Sequence, residues 1–152
     1  MIVERANVED AADILALQKL AYRSEAEIYD DVAIPPLTQT LEEMRTDLKN
    51  QVVLKASIDE RIVGSVRAYE EQGTCFVGRL IVHPDFQNRG IGTHLMREIE
   101  GAFAQAERFE LFTGDRSKRN LHLYRKLGYS VFKRQELTER VTLVFMEKHR
   151  ES

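Results

Sequence analysis

Gly78–Phe103 reads GRLIVHPDFQNRGIGTHLMREIEGAF, and its three parts spell out a strand, a turn and a helix. Arg79-Leu80-Ile81-Val82 is a short, mostly apolar run bounded by turn residues, the pattern of a buried strand. His83-Pro84-Asp85-Phe86 ends it, because Pro84 lacks an amide hydrogen and cannot extend a central strand. Gln87-Asn88-Arg89-Gly90-Ile91-Gly92 leads into a segment whose apolar residues, Ile91, Leu95, Met96, Ile99 and Phe103, are spaced to share one helical face. The first amides of such a helix have no intrahelical partners and carry the positive end of its dipole. Gly90 and Gly92 lack a Cβ, so a ligand can come close to the backbone. The physical product is a cradle for phosphate or pyrophosphate, with Arg89 beside it as a fixed positive charge.

Two familiar cradles do not match. A Walker loop ends in Gly-Lys-Ser/Thr, which this stretch lacks, and Leu95 stands where the third glycine of a dinucleotide fingerprint belongs. What remains is Q-x-x-G-x-G after an apolar strand and a proline. This resembles the acyl-CoA-binding motif of the GCN5-related N-acetyltransferase (GNAT) superfamily. Downstream, Arg119–Tyr129 (RNLHLYRKLGY) resembles the family's second signature, an Asn, a Tyr four residues on, and a helix ending in Leu-Gly-Phe/Tyr. The spacing agrees with such a helix. Asn120 and Tyr124 are i and i+4 on one face, Leu123 and Leu127 form a separate apolar edge, and Gly128 is a stop signal. The two signatures stand in the family's order, and the resemblance runs roughly from Ile2 to Lys148.

The resemblance implies an α/β (α+β) fold with a mixed, mostly antiparallel central sheet of about six to seven strands and helices on both faces. It also implies a splayed parallel pair at strands 4 and 5 whose gap admits acetyl-CoA as acyl donor. In that reading the loop amides of Gln87, Asn88, Arg89, Gly90, Ile91, Gly92 and Thr93 hold the CoA pyrophosphate. Leu80, Ile81 and Val82 run along the pantetheine arm, and the amide of Ile81 or Val82 polarises the thioester carbonyl. Asn120 contacts CoA, and Tyr124 sits near the sulfur as general acid. The acceptor side takes in Tyr29, Asp31, Glu70 and Thr113.

A general base is less defined, since an alkylammonium must lose a proton before it attacks. Relatives place a Glu early in the strand before the cofactor loop, but that position is Phe76 here. Glu70 and Glu71, expected at a hairpin turn, are alternatives, as are Tyr29, Asp31 or a chain of waters. Cys75 reads as a buried strand cysteine rather than a nucleophile, because no histidine is arranged locally to activate it. His83, His94, His122 and His149 lack metal-ligand spacing, so no metal is expected.

The remaining elements fall in order. Ile2 to Arg5 is a strand, and Asn7 with Asp10 opens a helix expected to reach about Ala26. Pro35-Pro36 is expected to forbid helix. Thr40 and Glu43 form a capping box for another helix ending near Asn50. Val52 to Ser57 and Arg61 to Tyr69 make a hairpin across Asp59-Glu60, and a turn at Glu70 to Gly73 leads into Thr74 to Val82. Arg108 to Thr113 is a strand, and Tyr129 to Arg134 and Val141 to Glu147 close the sheet. Val141 to Glu147 is also an apolar, edge-like candidate for pairing in a homodimer.

With 152 residues, 43% apolar, 31% charged and a net charge of −3, the chain fits one ordinary soluble domain without the basic face of a nucleic-acid binder. No apolar run is long enough to span a membrane, and the N-terminus lacks a signal region, so a cytoplasmic enzyme is expected. Three functions compete: an N-acetyltransferase acting on a small-molecule, peptide or protein amine; a non-catalytic acyl-CoA sensor; and an enzyme using the cradle for another nucleotide. Tyr124 favours the first over the second, because binding alone needs no proton donor beside the sulfur.

Overall fold

Alternation along β2 (Val52–Ile58) shows how the sheet divides the molecule: Val53 points into one apolar cluster and its neighbour Leu54 into another. The computed structural model describes residues 1–29 and 34–150. Within them β2 joins β1 (Ile2–Arg5), β3 (Arg61–Glu71), β4 (Thr74–Val82), β5 (Arg108–Gly114), β6 (Ser130–Glu136) and β7 (Thr142–His149) in one sheet ordered β1-β2-β3-β4-β5-β7-β6. Every neighbouring pair is antiparallel except β4 and β5. This is the expected mixed sheet with one parallel pair, and helix α4 (Ile91–Ala102) is the crossover that such a pair requires.

Helices cover both faces. Leu95, Met96 and Ile99 of α4 are completely buried against Val66, Ala68, Val77 and Phe109, each contributing about 2 kcal/mol by leaving water. The close approach is possible because β3 carries Gly64, where an added Cβ would lie 3.0 Å from Leu95 and 3.1 Å from Ile91. Helix α5 (Lys118–Lys126) packs on the same side through Leu121, Leu123 and Tyr124. On the other face α1 (Ala11–Tyr29) and α3 (Leu41–Asn50) enclose Ile14, Leu15, Met44 and Leu48 around Val53.

The local signals act as expected at several ends. Asn7 and Asp10 form a reciprocal capping box, which opens a short 3-10 turn before α1. Thr40 and Glu43 form the second box, at α3. Asp59 and Glu60 both take positive φ in the β2–β3 turn. Gly128, at φ 100°, stops α5.

Several expectations need correction. Pro35-Pro36 does not forbid helix: both prolines begin a one-turn helix, α2 (Pro35–Thr38), at positions where a missing amide costs nothing. Helix α1 runs on to Tyr29, a turn beyond Ala26. Strand β3 continues through Glu70 and Glu71, so the turn is only Gln72-Gly73, both at positive φ. Strand β7 lies between β5 and β6, so the segment Val141 to Glu147 is no free edge; the edges are β1 and β6.

The feature that opens the sheet is in β4. Ser65 pairs with Ile81 and Arg67 with Gly78, so β4 carries one residue more than β3 over the same span. Arg79, at φ 51°, absorbs the bulge. On its other side β4 pairs with β5 only at Thr74, Cys75 and Phe76. Beyond these residues the two strands part.

Candidate active site

The cleft forms where β4 and β5 separate. Its volume is about 720 Å³. Leu80, Ile81 and Val82 of β4 form one wall, α1 another through Ala21, Tyr22, Ser24 and Ile28, and α5 a third through Asn120, His122 and Leu123. Gln87, Asn88, Gly90, Ile91, Gly92 and Thr93 form the end where α4 begins.

The turn into α4 is built backwards from its glycines. Asn88 and Gly90 take φ of 64° and 81°, and Gly90 is the N-cap without any side chain to occupy the amides that follow. The first turn of α4 holds no acidic side chain, so its dipole is not internally compensated. A Cβ at Gly92 would meet Leu123 at 3.4 Å and Leu80 and Val82 at 3.9 Å, all lining residues. Gly92 therefore keeps the backbone open to the cleft. His83 fixes the preceding turn, its Nδ1 accepting from the Asp85 amide at 3.1 Å.

Charge is distributed unevenly. Arg116, Lys118, Arg119 and Lys126 line the cleft, and among the described residues no Asp or Glu does. The chain as a whole carries −3, so the cleft concentrates positive charge against the overall balance. These four cations were not among the expected site residues. Their signal was the basic run Arg116-Ser117-Lys118-Arg119, which reads as an ordinary polar loop until α5 is folded against β4.

The expected residues divide into three groups. Leu80, Ile81, Val82, Gln87, Asn88, Gly90, Ile91, Gly92, Thr93 and Asn120 are brought together in the lining. Arg89 points instead across the Phe86 ring, 5.0 Å from its centroid. Thr113 is buried under Asn120, whose Nδ2 donates to Thr113 Oγ1 at 3.4 Å, a long bond that steadies the amide from behind. Tyr29 is buried, and its Oη accepts from the Arg116 amide at 2.6 Å. Its ring occupies the space over Gly114, where a Cβ would come within 2.1 Å of that oxygen. Tyr124, only 6% exposed, belongs to the apolar core, edge-on to Tyr129 at 6.0 Å, and is not part of the lining.

Glu70 and Glu71 are not at the cleft. They pair with Cys75 and Thr74, at the end where β4 and β5 are still joined. Ile81 lies six positions beyond Cys75, roughly 20 Å along an extended strand. The hairpin turn expected to carry them toward the cleft lies instead at the opposite end of β4. Asp31 lies outside the described residues. Cys75 is fully buried, and burial pushes its thiol up to about 12, leaving no thiolate for acyl transfer. Beside the cleft, Asp115 keeps Oδ1 buried without a hydrogen-bond partner among the described residues.

Comparison with known proteins agrees with this geometry. The acetyltransferase (GNAT) family profile matches residues 13–129. The UPF0157 protein YqkA of Bacillus subtilis (strain 168) is 26% identical over 119 residues, covering 78% of this chain and 34% of that protein. The chain thus spans about one third of the length of this curated relative. Among solved structures, the ribosomal-protein-S18-alanine N-acetyltransferase of Escherichia coli superposes with a TM-score of 0.81 at 12% identity, over 97% of this chain and 92% of that one. The PaiA N-acetyltransferase of Thermoplasma acidophilum, in complex with coenzyme A, gives 0.78 at 15% identity, over 99% and 100%. At these identities the structures speak for the fold. Together with the family profile, which covers most of the sequence, they lead to one assignment: the chain belongs to the acetyltransferase (GNAT) family.

Proposed function

We propose that the protein is an acetyl-CoA-dependent N-acetyltransferase that acylates a primary amine. The observation that carries this reading is the cleft lining, where the uncompensated start of α4 is joined by Arg116, Lys118, Arg119 and Lys126 with no carboxylate among the described lining residues. Such an arrangement suits a ligand with several phosphates. The shape fits CoA as well: a Cβ at Gly92 would narrow the cradle, and the apolar wall of Leu80, Ile81 and Val82 suits a long, weakly polar arm.

Acetyl-CoA, bound there, supplies an activated thioester. The neutral amine attacks its carbonyl carbon; the C–N bond forms, the C–S bond breaks, and the departing thiolate takes a proton. The amide of Ile81 or Val82, at the edge of β4 that β5 leaves unpaired, is the proposed hydrogen-bond donor to the carbonyl oxygen. Asn120 is proposed to contact the cofactor, with Thr113 fixing its amide. Tyr124 is the proposed proton donor, one helical turn beyond Asn120. Glu70 and Glu71 take no part, and the acceptor's proton leaves to water.

Burial of Tyr124 is the observation that favours the second reading, an acyl-CoA sensor without turnover. Release of free thiol from acetyl-CoA in the presence of a panel of primary amines separates the two. Amine-dependent thiol release is the expected result. Tight acetyl-CoA binding without release for any small-molecule or peptide amine would favour the sensor.

A further inference from the structure

We propose that the pocket beside the β4 bulge binds a carboxylate of the acyl acceptor, so that the substrate is an amine that also carries an acid group. The proposal rests on the acetyltransferase reading above and specifies its second substrate. The pocket, about 440 Å³, is separate from the cofactor end of the cleft and lies among α2, α3, β3 and β4. Arg67 and Arg79 form its basic side, with Gln39, Thr38 and Thr46 around them.

The two arginines are not in the same state. Arg67 is paired with Asp47, whose Oδ2 also accepts from Gln39 Nε2. Glu43, the other acid in the pocket, accepts from the Thr40 amide as the helix cap of α3. Arg79 donates from Nη1 to Gln39 Oε1 at 3.0 Å, a neutral acceptor. Among the described residues no carboxylate forms an ion pair with it. Burial and the neighbouring Arg67 both work against its charge, holding its pKa below the usual guanidinium range. Asp47 and Glu43, already engaged by Arg67 and by the Thr40 cap, favour its charge only from a distance. A half-buried cation beside another cation, with an amide oxygen as its direct hydrogen-bond partner among the described residues, is a site that an anion would stabilise.

The surroundings hold that cation in place. Gln18 of α1, almost fully buried, donates from Nε2 to Gln39 Oε1 at 2.8 Å and to the Pro36 carbonyl at 3.0 Å. The Gln39 oxygen that Arg79 meets is therefore fixed from α1 and α2 together. Arg79 itself stands at φ 51°, a conformation an arginine adopts only at a cost. That bulge turns its side chain toward α2 and α3 while the next residue, Leu80, lines the cofactor cleft. An acid group held by Arg79 would lie beside Gln39, which Gln18 ties to α1, and away from the α4 end of the cleft; this is the side proposed for the acceptor.

The test compares free amino acids with the matching C-terminal amides, which differ only in the acid group, by thiol release from acetyl-CoA. The expected result is a preference of about tenfold or more in kcat/KM for at least one free acid over its amide. Arg79→Gln should bring that ratio close to one, chiefly through the acid's KM, and Arg79→Lys should retain part of it. Neither variant adds backbone strain, since a non-glycine residue already stands there, and the heat shift given by acetyl-CoA reports that each is folded. Equal use of acid and amide by the native protein, or a preference that survives Arg79→Gln, would overturn the proposal. If no compound is turned over, heat shifts with the same acids and amides at millimolar concentration decide it alone. An Arg79-dependent shift with acids supports the site, and none refutes it. Loss of the acetyl-CoA shift in the native protein would count instead against the acetyltransferase reading.

Discussion

At Gly92 a single missing Cβ separates an open cradle from a filled one. Gly92→Glu places a carboxylate among the α4 amides and pushes a side chain toward Leu123, Leu80 and Val82. It is expected to abolish acetyl-CoA binding, measured by titration calorimetry, with the fold retained. Tyr124→Phe should leave acetyl-CoA affinity unchanged and lower turnover by about a hundredfold, as loss of a general acid does; full activity would remove Tyr124 from that role. Cys75 makes a different prediction. Its buried thiol stays protonated in the folded protein, whereas the unfolded thiol ionises above about pH 8.5. The unfolded state then binds fewer protons than the folded one, so this group's contribution makes stability fall as pH rises from there toward about 12. Urea unfolding at pH 7 and pH 9.5 should show the loss, and Cys75→Ala should reduce the difference.

Among the elements, the meeting of α1 with β5 is tightest at Tyr29, which lies on Gly114 and accepts from the Arg116 amide. Gly114→Ala would force Tyr29 aside. A cost of about 1–3 kcal/mol is expected in urea unfolding, together with weaker acetyl-CoA binding, because α1 and Arg116 both line the cleft. The same junction marks the limit of what the sequence disclosed. The capping boxes, the Asp59-Glu60 turn and the strand–turn–helix of Gly78–Phe103 are local patterns, and each formed where the residues predicted. The glycine turn into α4 was legible for that reason. Tyr29 looked like an acceptor residue because its contact partner is 87 positions away, and no local spacing records that it plugs β5. Glu70 and Glu71 were misjudged because the length of β3 depends on pairing with β4. The bulge at Arg79 was invisible, since an apolar strand pattern carries no sign of one extra residue. Pro35-Pro36 was read by what proline forbids inside a helix, although at its start the same ring is favourable.

Over the whole molecule, charge and shape point the same way. A chain with net charge −3 gathers four cations on one cleft, with no acid among the described lining residues. Acetyl-CoA affinity should therefore fall several-fold as salt rises from about 0.05 to about 0.5 M, which calorimetry at the two ionic strengths would register. The central claim is that this cleft holds acetyl-CoA, and thermal unfolding with acetyl-CoA, NADH or ATP tests it most directly. At about a hundred times its dissociation constant, acetyl-CoA should stabilise the fold by ~2.7 kcal/mol, a rise of several degrees, with little effect from the other two. An unchanged unfolding temperature with acetyl-CoA, or an equal rise with all three, would contradict the account.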